Sequence, residues 1–503
     1  MQLLDLEGLR SDTGVIRTHT RVSFTFYPHK DSVYKRETSA RIVSSDPSET
    51  EANFRGLRWN KVMGQAAGQW SAQFKDRTLG FASGAVLPGD WCYIEVARNG
   101  VTFPLCVGIV ESVRRQKVVD QNGKQTTIWA LSGFDHGVAF DTQLAYQSLW
   151  IRSMEQLTSG LMTSKVQGAV GGSPDLMFQI LIDAVFTKGT ESSIWELPPA
   201  LADEYNLKSG AGLLDILQKQ LPEGGLRGWY GNQPRLWLNP GDTLYTALQF
   251  WCHSLLNEII LDVTQTGQHG RAPAATIRER PFPNTTDGLD SDWFGLPTWT
   301  IPVWCTNEDS LGWSNGERFN LVELLAEFAA VGSGKADQGA ACPAMWNKQS
   351  IAIHGLRPLQ QTTHYWDAGS LESWYVARVQ WQQLLVDWNC LNPYCLSGAL
   401  VTSFAMPEVR IGNRLIVKGE GEGTERQFYV EGLELNISPS LTSSTGVSGK
   451  TRFQLSRGWG GDDASLLTAL NTASAGYESV GPGRTTSKPK KAFKSFKFSD
   501  IDW

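Results

Sequence analysis

One pattern of a turn and three strands occurs twice in this chain, once near each end. Each copy reads as a Gly-Asp or Gly-Asn turn, a strand, a hairpin loop, a second strand and a final strand of alternating polarity. The segments of the first copy are Pro88-Gly89-Asp90, 91–96, Asn99-Gly100, 107–113 and 127–133. Those of the second copy are 409–417, which contains Gly412-Asn413, then 428–435 and 451–458. The repeat predicts two related β-modules in each chain, so a trimer would present six similar units.

Size and composition predict a folded protein of several domains. The chain has 503 residues with 41% hydrophobic and 19% charged content, which is enough to bury substantial cores. Its 50 glycines indicate many turns, and its 20 tryptophans indicate either core filling or anchoring of subunit interfaces. The formal net charge of −6 argues against nucleic-acid binding by the chain as a whole.

The N-terminal residues, the cysteines and the histidines predict the cellular compartment of the protein and whether it binds a metal. The first seven residues lack a basic region followed by an apolar run, and no stretch is long enough to span a bilayer. The 7 scattered cysteines are typical of reduced thiols in cytoplasm. The 7 histidines form no metal-spaced pair, so we expect neither a metal site nor a cofactor.

Changes of hydrophobic period divide the chain into segments and predict a mainly β fold with α insertions (α+β). Two related antiparallel β-barrel modules are predicted, together with helical insertion domains. The segments are a first β-barrel (1–150), a helical insertion (151–256), the start of the second β-module (257–282), an irregular and helical insertion (283–395), the rest of the second β-barrel (396–460) and an extended tail (461–503).

Helical spacing and capping signals place the predicted helices. Asp242 is expected to cap a helix whose buried stripe runs to Ile259, and Ser370 is expected to cap another. The predicted helical stretches are 177–185, 213–221, 244–259, 320–331 and 371–388.

The C-terminal segment carries the candidate partner-docking residues. Phe493, Phe496 and Phe498 alternate with lysines, and Trp503 ends the chain. Such a segment cannot bury enough surface alone, and a plain solvated tail is one interpretation. The aromatic residues favour a second interpretation, in which the tail orders against a partner as an added strand. Contact with nucleic acid is a third.

The stretches that match catalytic motifs lack the strand context or the residue spacing that those motifs need. We therefore predict no catalytic residues and no enzyme. The stretch 312–316 (Gly-Trp-Ser-Asn-Gly) matches the nucleophile-elbow pattern, with a predicted helix after it. However, 306–310 separates Ser314 from the nearest strand-like stretch, and an elbow needs the serine directly after a strand. Residues 332–335 lack the full spacing of a phosphate loop.

The order of short motifs along residues 12–460 resembles a known family. The motifs are Pro88-Gly89-Asp90, Gly133-Phe134-Asp135, Arg280-Pro281-Phe282, 351–358 and Tyr429-Val430-Glu431-Gly432. Each motif is only a few residues of common strand-and-turn chemistry, and their order carries the likeness. In this order they resemble the baseplate central hub of contractile bacteriophage tails, a family similar to tail-tube proteins.

The resemblance implies a structural virion protein of the tail baseplate, assembled in host cytoplasm. Hubs of this family carry two tube-like β-barrels per chain and form a homotrimer that adapts the sixfold tail tube to the threefold central spike. The implied partners are the tail tube protein, the spike and other baseplate proteins, with DNA only in transit through the channel. We further hypothesise that strand positions beside Gly89 and Gly412 line the contacts between subunits.

Two alternatives remain open. One is a tail-tip protein that binds or degrades the cell wall, which would need a cleft with paired carboxylates. The other is a distal tail protein of a non-contractile tail, with the same barrels and a different partner. The large helical insertion of 151–256 favours the hub over a simple tube subunit.

Overall fold

The computed structural model describes a chain that is mostly antiparallel β with few helices. The described residues are 20–29, 37–45, 54–75, 81, 84–119, 123, 125–144, 174–188, 192–193, 195–221, 241–264, 272–281, 292–316, 318–326, 344–363, 381–386, 388–390, 396–419, 425–439, 447–474 and 478–479.

The strands are β1 (Thr20–Tyr27), β2 (Arg41–Ser44), β3 (Phe54–Val62), β4 (Gln69–Lys75), β5 (Trp91–Arg98), β6 (Val101–Val119), β7 (Gln125–Asp135), β8 (Thr187–Lys188), β9 (Ser192–Ser193), β10 (Gln218–Gln220), β11 (Asn257–Thr264), β12 (Ala272–Glu279), β13 (Thr298–Pro302), β14 (Thr306–Asp309), β15 (Leu321–Ala326), β16 (Met345–Trp346), β17 (Pro358–Thr363), β18 (Leu396–Thr402), β19 (Arg414–Lys418), β20 (Arg426–Pro439), β21 (Val447–Trp459) and β22 (Glu478–Ser479). The helices are α1 (Val138–Thr142), α2 (Pro174–Phe186), α3 (Pro199–Glu204), α4 (Leu213–Ile216), α5 (Leu244–Trp251), α6 (Lys348–His354) and α7 (Asp463–Ser474).

One 13-stranded sheet contains both copies of the repeat. Its order is β14-β18-β21-β20-β3-β4-β7-β6-β5-β1-β2, with β19 also on β20 and β13 on β19. Every pairing is antiparallel except that of β13 with β19. The sheet is curled as a half-barrel. That each module closes as a barrel of its own stays a prediction.

Alternation of side chains along the central strands separates a core face from a polar face. In β4 and β21 nearly every second residue is buried and the residues between them are exposed. Aromatic rings fill the core beneath the sheet, and Phe24 meets Phe74 edge to face at a centroid distance of 5.1 Å. Trp59 and Trp70, on neighbouring strands, are almost fully buried in the same core.

The turn that opens the first copy is closed by backbone hydrogen bonds. Gly89 has a φ of 92°, a left-handed value that glycine adopts without steric cost. Its N–H donates to the Val110 carbonyl at 2.7 Å, and Val110 N–H donates to the Asp90 carbonyl at 2.8 Å. The Asp90 carboxylate accepts from Leu87 N–H at 2.8 Å. The turn is thereby fixed to the middle of β6.

The turn that opens the second copy repeats these bonds. Gly412 has a φ of 77°, and its N–H donates to the Val430 carbonyl at 2.8 Å. Val430 N–H donates to the Asn413 carbonyl at 3.0 Å. The Asn413 side-chain oxygen accepts from Arg410 N–H at 3.0 Å. The two sequence patterns therefore form the same turn on the same position of β6 and β20.

The inserted helices pack over one end of the sheet. Strands β10, β12 and β11 form a separate three-stranded sheet, and the core around α2 and α5 also contains Tyr27 and Tyr93 of the first module. Buried His136, directly after β7, is within 3.1 Å of the Ala274 carbonyl on β12. Strands β11 and β12, predicted to start the second module, pair with each other and, through β12, with β10, and not with a described strand of the large sheet. The segment boundaries given above stay predictions.

Two predicted helices are shorter than expected. The helix predicted to run to Ile259 ends at Trp251, because 257–264 is a continuously buried strand paired with β12. Its cap is Thr243, which accepts from Thr246 N–H, and not Asp242. The stretch 213–221 is helical only in α4 and then forms β10. The helix predicted over 177–185 is confirmed within α2.

The helix predicted over 320–331 is wrong where the structure describes it. Residues 321–326 form β15, which pairs with β16 on one side and β17 on the other. A short apolar run does not distinguish a strand from a helix, and pairing with distant strands decides this case. Of the stretch 371–388, residues 381–386 and 388 are described and are helical. The tail, predicted to be extended from 461, begins with helix α7.

We expect the two turn glycines to respond differently to alanine. A Cβ at Gly89 would meet no atom within 4 Å, so Gly89→Ala reports the backbone cost alone, about 1 kcal/mol. A Cβ at Gly412 would lie 2.5 Å from Arg278 Nη2 and 2.8 Å from Ile260 Cδ1, so Gly412→Ala should destabilise more. Urea unfolding followed by tryptophan fluorescence measures both. Gly460→Ala, with a nearest atom at 3.9 Å, is the neutral control. Equal losses for the two turn variants would contradict this expectation.

Candidate functional site

Beyond the turns, the two modules share irregularities in their strand pairing. On β6 the extra residue of a bulge against β7 is Glu111, and on β20 the extra residue against β21 is Glu431. A second bulge lies at Arg55, where β3 pairs with β4, and its counterpart lies at Asn307, where β14 pairs with β18. Because bulges set the bend and register of a strand, equal bulges extend the repeat to five strands in each module.

The repeat unit can therefore be written strand by strand. The first module has the order β3-β4-β7-β6-β5, and the second has the order β14-β18-β21-β20-β19. The pairing partners give the residue correspondence: Lys117 of β6 corresponds to Ile437 of β20, and Asp309 of β14 corresponds to Leu57 of β3.

The two modules meet at an internal seam, which is the pairing of β3 with the part of β20 beyond its bulge. Its register runs from Leu57 opposite Ile437 to Val62 opposite Gly432. Met63 N–H, just past β3, donates to the Glu431 carbonyl at 2.6 Å. The seam makes one continuous sheet of both modules.

Side chains reinforce the seam on both faces. On the polar face Arg58 Nε lies 2.9 Å from Glu434 Oε1, an ion pair whose arginine is 63% exposed. On the core face Trp59 lies opposite Leu435, and both are buried. An exposed ion pair contributes little, so the buried apolar pair supplies most of the stabilisation.

Two corresponding strand edges, the open edges, have no partner among the described residues. Residues 112–119 of β6, beyond the bulge, pair only with β7 among the described strands, and 114–119 are exposed. Strand β14 pairs only with β18 in the described part of the chain, and 307–310 are exposed. Each chain therefore contains one complete seam and the two separate halves of another.

The polar face of the sheet is continuous across the seam. It carries mostly amide and hydroxyl side chains, with charges of both signs between them. Its polar and charged members include Arg58, Asn60, Gln69, Ser71, Gln73, Ser112, Arg114, Ser132, Glu434, Asn436, Lys450, Arg452 and Gln454, and the apolar residues Ala130 and Phe134 lie among them. A shallow cleft of about 320 Å³ lies in this face near Glu111.

A buried ionic cluster attaches the insertion to the second module. Arg457 Nη2 donates to Glu258 and to Glu431, at 3.0 Å each, and its guanidinium lies 3.5 Å above the ring of Tyr429. The Tyr429 hydroxyl donates to Glu258 at 2.5 Å. Burial would raise the pKa of Glu431, but Arg457 and Arg280 together hold that pKa below its usual value. Paired charges of this kind fix orientation, and removing one partner is costly.

A second buried pair joins the modules directly. Arg98 of β5 donates to Glu408, which precedes the second turn, at 2.5 Å, and both side chains are almost fully buried. Burial raises the pKa of Glu408 to about 7, against the opposing effect of Arg98. Oε2 of Glu408 has no hydrogen-bond partner within the described residues, which is consistent with a carboxyl that protonates easily.

The residues predicted to contact partners or other subunits are the four aromatic residues of the tail and the positions beside the two turn glycines. Phe493, Phe496, Phe498 and Trp503 lie outside the described residues, so their docking role stays a prediction. A Cβ at Gly412 would meet Arg278 and Ile260 of the same chain, whereas a Cβ at Gly89 would meet no atom within 4 Å. That strand positions beside these two glycines line contacts between subunits stays a prediction.

The Gly-Trp-Ser-Asn-Gly stretch does not form a nucleophile elbow. Ser314 is exposed, its Oγ accepts from Gly316 N–H at 3.1 Å, and strand β15 follows where an elbow needs a helix. In the described ranges no group of three or more histidine, cysteine or acidic residues could hold a metal ion. No helix of the described part is long and apolar enough to cross a membrane.

Sequence reasoning missed the residues of the open edges. Arg115 and Lys117 occupy positions where the second copy has Leu435 and Ile437. Aligning the two copies residue by residue would have revealed this replacement of apolar residues by charged ones. The signal was present in the repeat, but only strand pairing shows that these positions form an edge.

Comparisons with known proteins find likenesses only among solved structures. No family model matches the chain, and no curated protein matches it. A tail protein from Neisseria meningitidis MC58 is 14% identical with a TM-score of 0.42, over 87% of this chain and 96% of that chain. The 43 kDa tail protein of prophage MuSo2 from Shewanella oneidensis is 10% identical with a TM-score of 0.42, over 87% and 98%. The prophage tail protein gp18 from Listeria monocytogenes EGD-e is 8% identical with a TM-score of 0.41, over 90% and 99%. Likenesses at this level do not assign the chain to a family.

The buried Glu408 carboxyl predicts a pH-dependent stability. As pH rises above 4.5 the unfolded chain releases this proton, whereas the folded chain keeps it until about pH 7. The free energy of unfolding of the wild type, relative to Glu408→Gln, should therefore fall between these two values and then level off. Urea unfolding of both proteins over this range measures the difference. A difference that grows with pH would instead mean that the ionised pair with Arg98 dominates.

Proposed function

We propose that this protein is a structural subunit of a bacteriophage tail baseplate. In this proposal it forms a homotrimeric hub that joins the sixfold tail tube to the threefold central spike and lines part of the DNA-conducting channel. The observation that carries the proposal is the repeat of a five-strand module, with its turns and bulges, inside one continuous sheet. The order of sequence motifs that resembles phage hubs supports the same assignment.

Symmetry links the repeat to the proposed role. A chain with two equivalent modules that meet at one seam places two similar units side by side. Three such chains in a closed ring would present six units to a sixfold tube while remaining threefold toward a spike. Closure requires heterologous contacts, in which one edge of a chain meets a different edge of the next, and the two open edges of the sheet meet this requirement.

The polar face suits a channel wall. Tight DNA binding depends on many lysine and arginine contacts to phosphates. This face offers mainly amides and hydroxyls, and its basic residues are few and partly paired: Glu434 lies 2.9 Å from Arg58 and opposite Arg452, while Lys450 lies opposite Asn436. With a net charge of −6 on the whole chain, such a wall would let DNA pass without holding it.

The proposed partners are the tail tube protein, the central spike and other baseplate proteins, in a virion assembled in host cytoplasm. Phe493, Phe496, Phe498 and Trp503 are the candidate docking residues, because aromatic side chains anchor interfaces and an added strand provides backbone pairing. The role is structural and not enzymatic in this proposal.

The test is the mass of the purified full-length protein by light scattering, alone and with tube and spike candidates from the same genome. We expect three times the chain mass of 55.6 kDa, either directly or on adding the spike. Negative-stain images of that species should show a ring. A monomer that ignores both partners and releases sugar or peptide from cell wall would overturn the proposal in favour of a tail-tip enzyme.

A further inference from the structure

We infer that adjacent copies of this chain join by adding β14 of one copy to β6 of the next, antiparallel and in the register of the internal seam. The occupant of each open edge is thus a second copy of the chain. This inference rests on the proposed ring and specifies its contact to single residues.

The internal seam is the template for this contact. Within the chain, the outer edge of β3 pairs with β20 beyond its bulge. Strand β14 corresponds to β3, including the bulge at Asn307, and 112–119 corresponds to the paired part of β20. The two edges without a described partner are therefore the two sides of the same pairing. Six strands separate β14 from β6 in the sheet, so the inferred pairing joins two chains.

The correspondence fixes a register. Leu57 lies opposite Ile437 in the internal seam, so Asp309 should lie opposite Lys117 of the next copy. Continuing along the strands, Ser310 falls opposite Gln116 and Leu311 falls opposite Arg115. The exposed Trp313 falls opposite Val113 and would be covered by the neighbour.

The charges of the two edges are complementary. The β6 edge carries Arg114, Arg115 and Lys117, and the β14 edge carries Glu308 and Asp309. Among the described residues, Asp309 has one distant ion-pair partner, Arg426 at 3.9 Å, with both side chains 49% exposed. Opposite charges directly across a strand pair stabilise the pairing, and complementary edges guide two copies together.

The backbone hydrogen bonds of the internal seam also indicate which cross-strand residue pairs could form a disulfide. Met63 N–H donates to the Glu431 carbonyl, which makes this a hydrogen-bonded pair, and every second pair shares that geometry. The pair of Lys117 and Asp309 then falls on a hydrogen-bonded position. Gln116 and Ser310 fall on a non-hydrogen-bonded position, where Cα atoms approach to about 4.5 Å, within disulfide range.

The first test is cysteine cross-linking of the full chain carrying Gln116→Cys with Ser310→Cys. Mild oxidation should give covalent dimers and trimers on a non-reducing gel. The matched control is Lys117→Cys with Ser310→Cys, which is one residue out of register and places the thiols on opposite faces of the sheet. The five described native cysteines are buried, and wild-type protein under the same oxidation gives the background.

The second test reverses charges at the seam. Lys117→Asp should weaken assembly by up to about fivefold at each seam, because two carboxylates then face each other. Adding Asp309→Lys should restore assembly. Lys450→Asp makes the same charge change on the polar face away from both edges and should leave the mass unchanged. Circular dichroism of each variant checks that the chain is folded.

The outcomes separate this inference from the proposed function. Cross-linking of 116 with 310 but not of 117 with 310, together with rescue by the double charge reversal, supports the seam. A trimer that forms without this cross-link overturns the seam and leaves the hub standing. A chain that stays monomeric with every partner overturns both.

Discussion

The pairing of β3 with β20 is the contact on which the rest of the structure depends. Six consecutive residues of each strand are in register, from Leu57 with Ile437 to Val62 with Gly432, and the pairing turns two modules into one sheet. Without it the chain would have two small sheets, each with a long exposed edge, and such edges pair with other chains indiscriminately. The buried apolar pair of Trp59 and Leu435 makes this seam permanent within the chain.

Buried ion pairs then fix the orientation of the first module and of the insertion relative to the second module. Arg98 with Glu408 ties the first module to the second turn, and Arg457 with Glu258 and Glu431 ties the insertion to the second module. A buried ion pair adds little stability over an apolar pair, but it tolerates few geometries. The orientation of the insertion thus depends on groups that would be costly to leave unpaired.

The open edges differ from the internal seam in chemistry, and the difference has a physical reason. A seam made during folding can be apolar because water never reaches it. An edge that waits for a second copy stays in water, and an apolar edge there would aggregate. Charged residues such as Lys117 and Asp309 keep the free chain soluble, and their opposite signs favour one partner edge. The proposed ring and its register follow from this contrast.

The sequence by itself determined the local features. The Gly89-Asp90 and Gly412-Asn413 turns were predictable because left-handed backbone and side-chain capping are local, and the alternation in β4 and β21 marks strands with one buried face. Tertiary structure decided the rest. Residues 321–326 became a strand because β17, more than thirty residues further along the chain, offered backbone pairing. Helix α5 ended at Trp251 because residues 257–264 pair with β12. The sequence also did not predict which strand edges remain open. The neighbours of a strand in a sheet are set by contacts between residues far apart along the chain, and no local sequence pattern encodes those contacts.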